Sequence, residues 1–237
     1  MPGKFLKGAL IEFTTSFLVP VPNVIIFQFN PETMTHTWTP AAPLPPPGGG
    51  EPNPLAVKGL PGETFSFTLA MDALDTIEAS NQIAQGLAAT SGIYSRLAAL
   101  EMLLYPTRDP QGAFVLTAAT SAQAGAFPLN GSYVRSVPLR TIPTVLFVWG
   151  PGRILPVRVT SLTITEKLYD PLLLHPVYAE AQVGLSVLTE DELRQVDGPL
   201  GKLARGAYTY TLGLRQGLAL ANLANAPDSP IGMLPIG

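Results

Sequence analysis

Few residues in this chain have the chemistry of a catalytic or metal site. The two histidines, His36 and His175, have no potential metal ligand three or four positions after them. A zinc site would therefore have to be assembled from residues that are distant in sequence. We expect each histidine to be a packed or surface residue, and we predict no metal-binding residue.

The acidic residues are better explained by structure than by catalysis. The run Glu190-Asp191-Glu192 lacks the Asp- and Asn-rich spacing of calcium loops and is typical of an exposed helix start. Asp72 and Asp75 follow a strand pattern and precede a helical one, where a side-chain carboxylate commonly caps the helix. We therefore predict capping rather than acid/base catalysis at both positions.

The sequence also contains none of the common catalytic or nucleotide-binding motifs. The sequence has no Gly-x-Ser-x-Gly elbow, no phosphate-binding loop and no dinucleotide fingerprint. It has no cysteine, which excludes disulfides and thiolate catalysis and is typical of a reducing compartment. The sequence therefore nominates no catalytic residue and no cofactor-binding residue, and we expect a non-enzymatic protein without a cofactor.

Composition argues against nucleic acid and membrane partners. The net charge is −3, and the 14 basic residues form no cluster. No apolar run approaches the roughly 18 residues of a membrane span, and Glu12 interrupts what would be a poor signal peptide. Charged residues make up only 13% of the chain, against about 25% in typical proteins. We expect much of the surface to be buried against other subunits, although a compact monomer with few charges remains the alternative.

The order of sequence patterns predicts an α+β fold with mainly antiparallel strands. Alternation is clearest in Gly62–Leu69, where Phe65, Phe67 and Leu69 share one face. A helix pattern runs from Glu78 to Leu104 with a break near Gly92. We predict five or six strands around one helix. The remaining strand patterns are 5–13, 23–30, 143–150, 153–166 and 180–188; the proline-rich segment 41–54 is predicted to be an exposed loop, and 107–140 gives little signal.

The last part of the chain, 191–237, differs from the β-rich part, 1–190, and is predicted to be a helical extension. A helix from Pro199 to Asn225 would carry a continuous apolar stripe. Its glycines lower helix propensity but allow a neighbouring surface to approach closely. We expect the stripe to face a partner, and its four candidate interface residues are Leu203, Tyr210, Leu214 and Leu218.

Several segments, in order, resemble the tube-end adaptor proteins of contractile injection systems and contractile phage tails. They are Lys7-Gly8-Ala9-Leu10-Ile11-Glu12-Phe13, Phe27-Gln28-Phe29-Asn30-Pro31, Pro61-Gly62-Glu63-Thr64-Phe65-Ser66-Phe67, Leu97-Ala98-Ala99-Leu100-Glu101, Phe147-Val148-Trp149-Gly150 and Val157 to Tyr169. The resemblance implies a β-sandwich or barrel like that of tail-tube proteins, assembled as a hexameric ring. It also implies an inner tube protein and cap, sheath or baseplate proteins as partners.

The chain departs from this family in one respect. Many baseplate members carry a LysM module after the tube-like domain, whereas 191–237 has no LysM pattern. This difference favours an adaptor between the inner tube and the terminal cap, with a baseplate-side adaptor as the alternative. A non-catalytic binding module and an unrecognised hydrolase also remain open. The resemblance implies assembly in the cytoplasm, within a particle that is released or anchored to a membrane through other subunits.

Overall fold

A computed structural model describes residues 6–14, 21–44, 53–77, 86, 91–106, 142–196 and 198–222 of the chain. The strands are β1 (Ala9–Thr14), β2 (Val21–Ile26), β3 (Met34–Thr39), β4 (Ala42–Pro43), β5 (Val57–Lys58), β6 (Gly62–Asp72), β7 (Val145–Val148), β8 (Ile154–Tyr169) and β9 (Pro176–Val187). The helices are α1 (Ala73–Ile77), α2 (Tyr94–Met102), α3 (Glu190–Leu193) and α4 (Gly198–Ala221).

Seven of these strands form one sheet in the order β2-β1-β7-β8-β9-β6-β3, and every neighbouring pair is antiparallel. The predicted α+β class with antiparallel pairing is confirmed. The predicted strand number of five or six is wrong, because the described residues contain nine strands. The sequence patterns did not indicate β3, in which most side chains are exposed and the apolar alternation is weak.

The sheet is strongly curved, so that its first and sixth strands meet. Phe27, directly after β2, packs against Phe67 of β6 with ring centroids 5.5 Å apart. The Gln28 amide donates to the Asp72 carbonyl at 2.8 Å and accepts from the Asp72 N–H at 3.0 Å. Because these bonds reproduce a ladder pair, the side chain of Gln28 joins the end of β2 to the end of β6.

The concave side of the sheet holds the core. In β6 every second residue is buried, which is the burial pattern expected of a strand with one face on the core. Phe65, Phe67 and Leu69 all lie on this face, as predicted. The core also includes buried residues of the later strands: Val145, Phe147, Leu155, Val157, Val159, Ala179, Ala181, Val183, Leu185 and Val187.

The helix α2 covers one part of this core. Ile93, Leu97 and Leu100 are buried, which confirms a structural helix packed on the sheet. Leu104, predicted on the same stripe, is exposed because the helix ends at Met102. The predicted break at Gly92 is confirmed, since its φ is +56° and an added Cβ would lie 2.2 Å from the Pro176 carbonyl oxygen. The patterns at 78–85, 87–90 and 107–140 lie outside the described residues.

The hairpin of β8 and β9 extends past the end of β6 by only a few residues, since β6 pairs with β9 as far as Tyr178. A bulge between Val159 and Ser161 interrupts the pairing of β8 with β9. Such a bulge bends a strand and increases its twist. After it the side chains of β8 become progressively exposed, and those of 165–169 all face solvent. The outer half of β8 therefore leaves the core, whereas Ala179 and Ala181 of β9 stay buried, and a turn at 170–175 joins the two strands.

The described ends of the proline-rich segment form a small ribbon. Strands β4 and β5 pair with each other only, and Leu44 N donates to the Ala56 carbonyl at 2.9 Å. Their side chains are exposed, in agreement with the predicted exposed loop, while 45–52 lies outside the described residues.

Replacing Pro40–Pro54 with a short Gly/Ser linker should lower the melting temperature by only a few degrees. The reason is that loop closure depends weakly on length and the described ribbon residues contribute nothing to the core. Thermal unfolding followed by circular dichroism measures the shift. Loss of soluble protein would show that this segment packs against the body.

Candidate functional site

Two of the segments that carry the resemblance, 7–13 and 27–31, contact each other beside the start of β1 and the end of β2. Gly8 N donates to Asn30 Oδ1 at 2.9 Å, and Asn30 Nδ2 donates back to the Leu6 carbonyl at 2.9 Å. Lys7 Nζ donates to the Gln28 carbonyl at 2.8 Å. The residues that carry the resemblance in 7–13 and 27–31 therefore hold each other in place through their side chains.

A third and a fourth segment join the same junction through aromatic rings. Phe67 stacks on Phe147 at 5.6 Å, and Phe147 stacks on Trp149 at 6.2 Å. An added Cβ on Gly8 would lie 2.7 Å from both Phe27 and Trp149, so only glycine allows this approach. The residues of the resemblance thus form one packing unit. Their arrangement is structural and brings no catalytic group together.

The C-terminal helix α4 is fastened to the turn that joins β7 to β8 and to the start of β8. Thr211 is fully buried, and its Oγ1 accepts from Ile154 N at 3.1 Å and donates to the Ile154 carbonyl at 2.7 Å. Tyr210 Oη donates to the Pro151 carbonyl at 3.0 Å. Tyr208 packs against the core, and this burial raises the pKa of its hydroxyl. The helix is therefore docked on its own sheet through hydrogen bonds and small contacts.

A buried carboxylate provides the strongest link between α4 and the sheet. Glu63 is 4% exposed and accepts two bonds from Arg215, at 2.8 and 2.5 Å. His36 Nε2 lies 2.7 Å from Glu63 Oε1, and its ring stacks on Phe65 at 4.2 Å. The Arg215 guanidinium also lies over the Trp38 ring at 4.9 Å from its centroid. Charge and aromatic stacking together connect β3, β6 and α4.

This cluster was not found by sequence reasoning. His36 was expected to be a packed or surface histidine and is partly buried, but its partner Glu63 is 27 residues away in the sequence. Arg215 is 152 residues from Glu63. The only sequence signal was a glutamate at an inward position next to the alternating strand residues of β6. A buried carboxylate requires a partner, but the sequence does not say which one.

The helix α4 has one face against the sheet and one face exposed to solvent. Its inward side includes the buried Gly201, Ala204 and Thr211 and the partly buried Tyr208, Leu214 and Arg215. The predicted apolar stripe lies mainly on the other side. Leu203 is 46% exposed, Tyr210 51% and Leu218 63%, whereas Leu214 is partly buried. The structure thus leaves three of the four candidate interface residues open to solvent.

The turn between β8 and β9 is a second exposed apolar feature, and sequence reasoning missed it. Leu172, Leu173 and Leu174 are 88%, 64% and 74% exposed. Asp170 Oδ1 accepts from Leu172 N at 2.9 Å and from Leu173 N at 2.8 Å. These bonds lower the pKa of Asp170. The run of three leucines was visible in the sequence, but its position at a hairpin tip was not.

The other candidate groups have structural surroundings. Glu192 forms a capping box with Thr189 at the start of α3, which confirms the predicted helix start. Asp72 Oδ1 accepts from Leu74 N at 2.8 Å, and Asp75 Oδ2 accepts from Gln28 Nε2 at 2.8 Å. His175 lies close to Gly92; its two ring nitrogens are buried without a hydrogen-bond partner among the described residues, while its carbonyl accepts from Asp170 N at 2.9 Å. The described residues contain no group of three potential metal ligands.

An open groove of about 430 Å³ lies between the segment after β2 and the outer face of β6 and β9. It is lined by Glu32 and Glu180 among others. A hydrogen bond from Lys167 at 2.7 Å lowers the pKa of Glu180, which is therefore ionised and engaged at neutral pH. This carboxylate is therefore a poor general acid.

None of the helices in the part of the chain that the structure describes is long and apolar enough to cross a membrane. No protein-family model matches the sequence, and a search of characterised proteins gives no significant match.

Proposed function

We propose that this protein is a structural subunit of a phage-tail-like contractile injection system. In this role it forms an adaptor ring, most simply a hexamer, that joins the inner tube to the terminal cap. The proposal takes its family from the sequence resemblance. The observation that carries it is that the residues of this resemblance pack as one unit, in which Gly8, Asn30 and Phe27 connect the start of the sheet to β6.

The fold class is compatible with this proposal. The resemblance implies an antiparallel β-sandwich or barrel like that of tail-tube proteins, and the sheet of this chain curves until the Gln28 side chain pairs with Asp72. That the curved sheet forms a barrel like that of tail-tube proteins is part of this proposal.

The exposed apolar surface also favours an assembly role. Contiguous apolar surface on a protein with few charges is typical of a contact with other subunits. Here Leu203, Tyr210 and Leu218 lie on a helix that is already anchored by its other face. A rigid helix with one open apolar face suits docking better than catalysis.

The test is a particle map with this protein labelled. We expect a ring of six copies at the cap end of the tube, since closed rings use head-to-tail contacts between identical subunits. Genes for a sheath, a tube and an AAA+ ATPase beside this one would provide independent support.

Two other map outcomes decide between the alternatives. A labelled ring at the baseplate end would identify the baseplate-side adaptor instead. One copy per tube, or no label on particles, would contradict the ring. Either result would favour the alternatives, a non-catalytic binding module or an unrecognised hydrolase.

A further inference from the structure

The hydrogen-bond ladder along one edge of β6 is interrupted. Strand β3 pairs with β6 as far as the Met34–Phe67 pair, and the Gln28 side chain takes the place of a strand residue at Asp72. The segment 29–33 joins these two points, but within the described residues it forms no ladder pair with β6. We call the interval of β6 between the two points, 68–71, the ladder gap.

Two residues of the ladder gap direct their backbone groups away from β9. In an antiparallel strand the N–H and C=O of one residue point to the same side, and successive residues alternate between the two sides. The Asp72 N–H and carbonyl bind the Gln28 side chain, so those of Ala70 and Thr68 point to this side as well. Neither residue has a hydrogen-bond partner there in the described part of the chain. The gap therefore offers two donors and two acceptors in the arrangement of a free strand edge.

The groove of about 430 Å³ borders the ladder gap. Thr68 and Ala70 line it from β6, and Phe29, Pro31 and Thr33 line it from the facing segment. The Phe29 side chain is 43% exposed and gives the groove an apolar wall. A groove of this volume has the size of a site for a small ligand or a few residues of extended chain.

Charge selects the kind of segment that fits. The ionisable residues that line the groove are Glu32 and Glu180, and Glu180 is the neighbour of Ala70 on β9, on the same outer face of the sheet. Lys167 pairs with Glu180 at 2.7 Å, whereas Glu32 is exposed and forms no ion pair with a described residue. The groove therefore keeps one uncompensated carboxylate, which attracts a cationic side chain and disfavours an anionic one.

We propose that the groove binds an extended segment of another protein that carries a lysine or an arginine. Two alternate residues of the segment pair with Ala70 and Thr68 and continue the ladder. Their side chains lie on the outer face, where the basic one meets Glu32, and the residue between them turns toward the buried side of β6 and is apolar. Main-chain bonds supply the affinity in this mode of binding, and side-chain contacts supply the specificity. The inference goes beyond the proposed adaptor role and does not depend on it.

The start of this chain is placed away from the groove. The Leu6 carbonyl accepts from Asn30 Nδ2, Lys7 Nζ donates to the Gln28 carbonyl, and β1 then continues along the edge of β2. The chain thus enters the sheet on the side of 28–30 that faces β1, whereas the groove lies on the side that faces β6. A segment from another molecule reaches the groove without crossing this strand.

Nuclear magnetic resonance titration of the isotope-labelled protein with the peptide acetyl-Thr-Lys-Val-Lys-Thr-amide tests the pairing. We expect saturable shifts of the Thr68 and Ala70 amide signals, with a Kd of about 1 mM or tighter. N-methylation of both lysines of the peptide removes the N–H groups that face β6 and should weaken binding at least about tenfold. The matched control is N-methylation of the valine, whose N–H points away from β6, and it should weaken binding less than about threefold.

Charge reversal tests the role of Glu32. Replacing both lysines of the peptide with glutamate, or changing Glu32→Lys in the protein, should each weaken binding at least about fivefold. The matched control is Asp191→Lys, which makes the same charge change at an exposed carboxylate that does not line the groove and should alter binding less than about twofold. Because Glu32 is exposed and pairs with no described residue, the melting temperature of its variant should stay within a few degrees of the natural protein.

Three outcomes would overturn the proposal. They are equal losses for the two methylated peptides, unchanged binding by Glu32→Lys, and titration without saturable shifts at Thr68 and Ala70. If Lys4→Glu strengthens peptide binding by about fivefold or more, the groove is filled by this chain's own first residues and the inferred partner is wrong. A labelled ring at the tube end formed by a protein that binds no peptide would remove this site and leave the adaptor role, and peptide binding by a protein that never labels particles would do the reverse.

Discussion

Replacing Arg215 with alanine should lower the melting temperature by roughly 10 °C and free the C-terminal helix from the sheet. Glu63 is almost completely buried and would lose both of its guanidinium hydrogen bonds. Removing one member of a buried ion pair typically costs about 3–5 kcal/mol, because the other charge stays buried. For a chain of this size each kcal/mol corresponds to about 2–4 °C. Thermal unfolding and limited proteolysis of α4 measure the two effects.

The matched control is Arg194→Ala. Arg194 also pairs with carboxylates, Glu190 at 3.2 Å and Asp191 at 3.5 Å, but all three side chains are at least half exposed. Exposed pairs contribute less than about 1 kcal/mol, so this variant should melt within a few degrees of the natural protein. Equal shifts for the two variants would show that Glu63 does not depend on Arg215.

Changing Leu203 and Leu218 together to aspartate should leave the protein folded but exclude it from particles. Both side chains are about half exposed or more, so the fold loses little when they change. Two carboxylates on this face would be desolvated without partners at any subunit contact, which typically costs several kcal/mol. Circular dichroism checks the fold, and the amount of labelled protein in purified particles measures incorporation.

Leu214 is a poor choice for this experiment, although the sequence stripe includes it. It is partly buried, and its Cδ2 lies 3.5 Å from the position of a Cβ added to Gly152. An aspartate there should destabilise the docking of α4 itself. If the Leu203 and Leu218 variant unfolds, the outer face of α4 belongs to the core of the subunit. If it is incorporated normally, that face makes no essential contact.

Sequence patterns predicted strands correctly where every second side chain of the strand faces the core. The alternation of Phe65, Phe67 and Leu69 fixed both the existence and the inner face of β6, because a strand can bury only one set of alternate residues without a second layer. The apolar run of β7 and the helix α2 were found for similar reasons.

The same reasoning failed where contacts are distant in sequence. The stripe on α4 predicted a helix correctly, but not which side it buries, since the fully buried residues of the helix are Gly201, Ala204 and Thr211, whereas Leu214 is only partly buried. On this side, α4 lies against the backbone of β8, and the Thr211 hydroxyl forms hydrogen bonds with the backbone of Ile154. Hydrophobicity alone carries no information about such a contact. The pairing of Glu63 with Arg215 could not be predicted either, because the two residues are 152 positions apart in the sequence.

The anchoring of α4 also has a consequence for the timing of assembly. A glycine-rich helix gains little stability by itself and depends on tertiary contacts. Its contacts are with Glu63, Pro151, Ile154 and Leu193, which come from the start of β6, the turn before β8, β8 itself and the end of α3. We therefore expect the helix to become ordered only after β6, β8 and the turn before β8 have come together. Under the proposed function, a half-folded chain would present no complete assembly surface, so only finished subunits would be competent to join a growing particle.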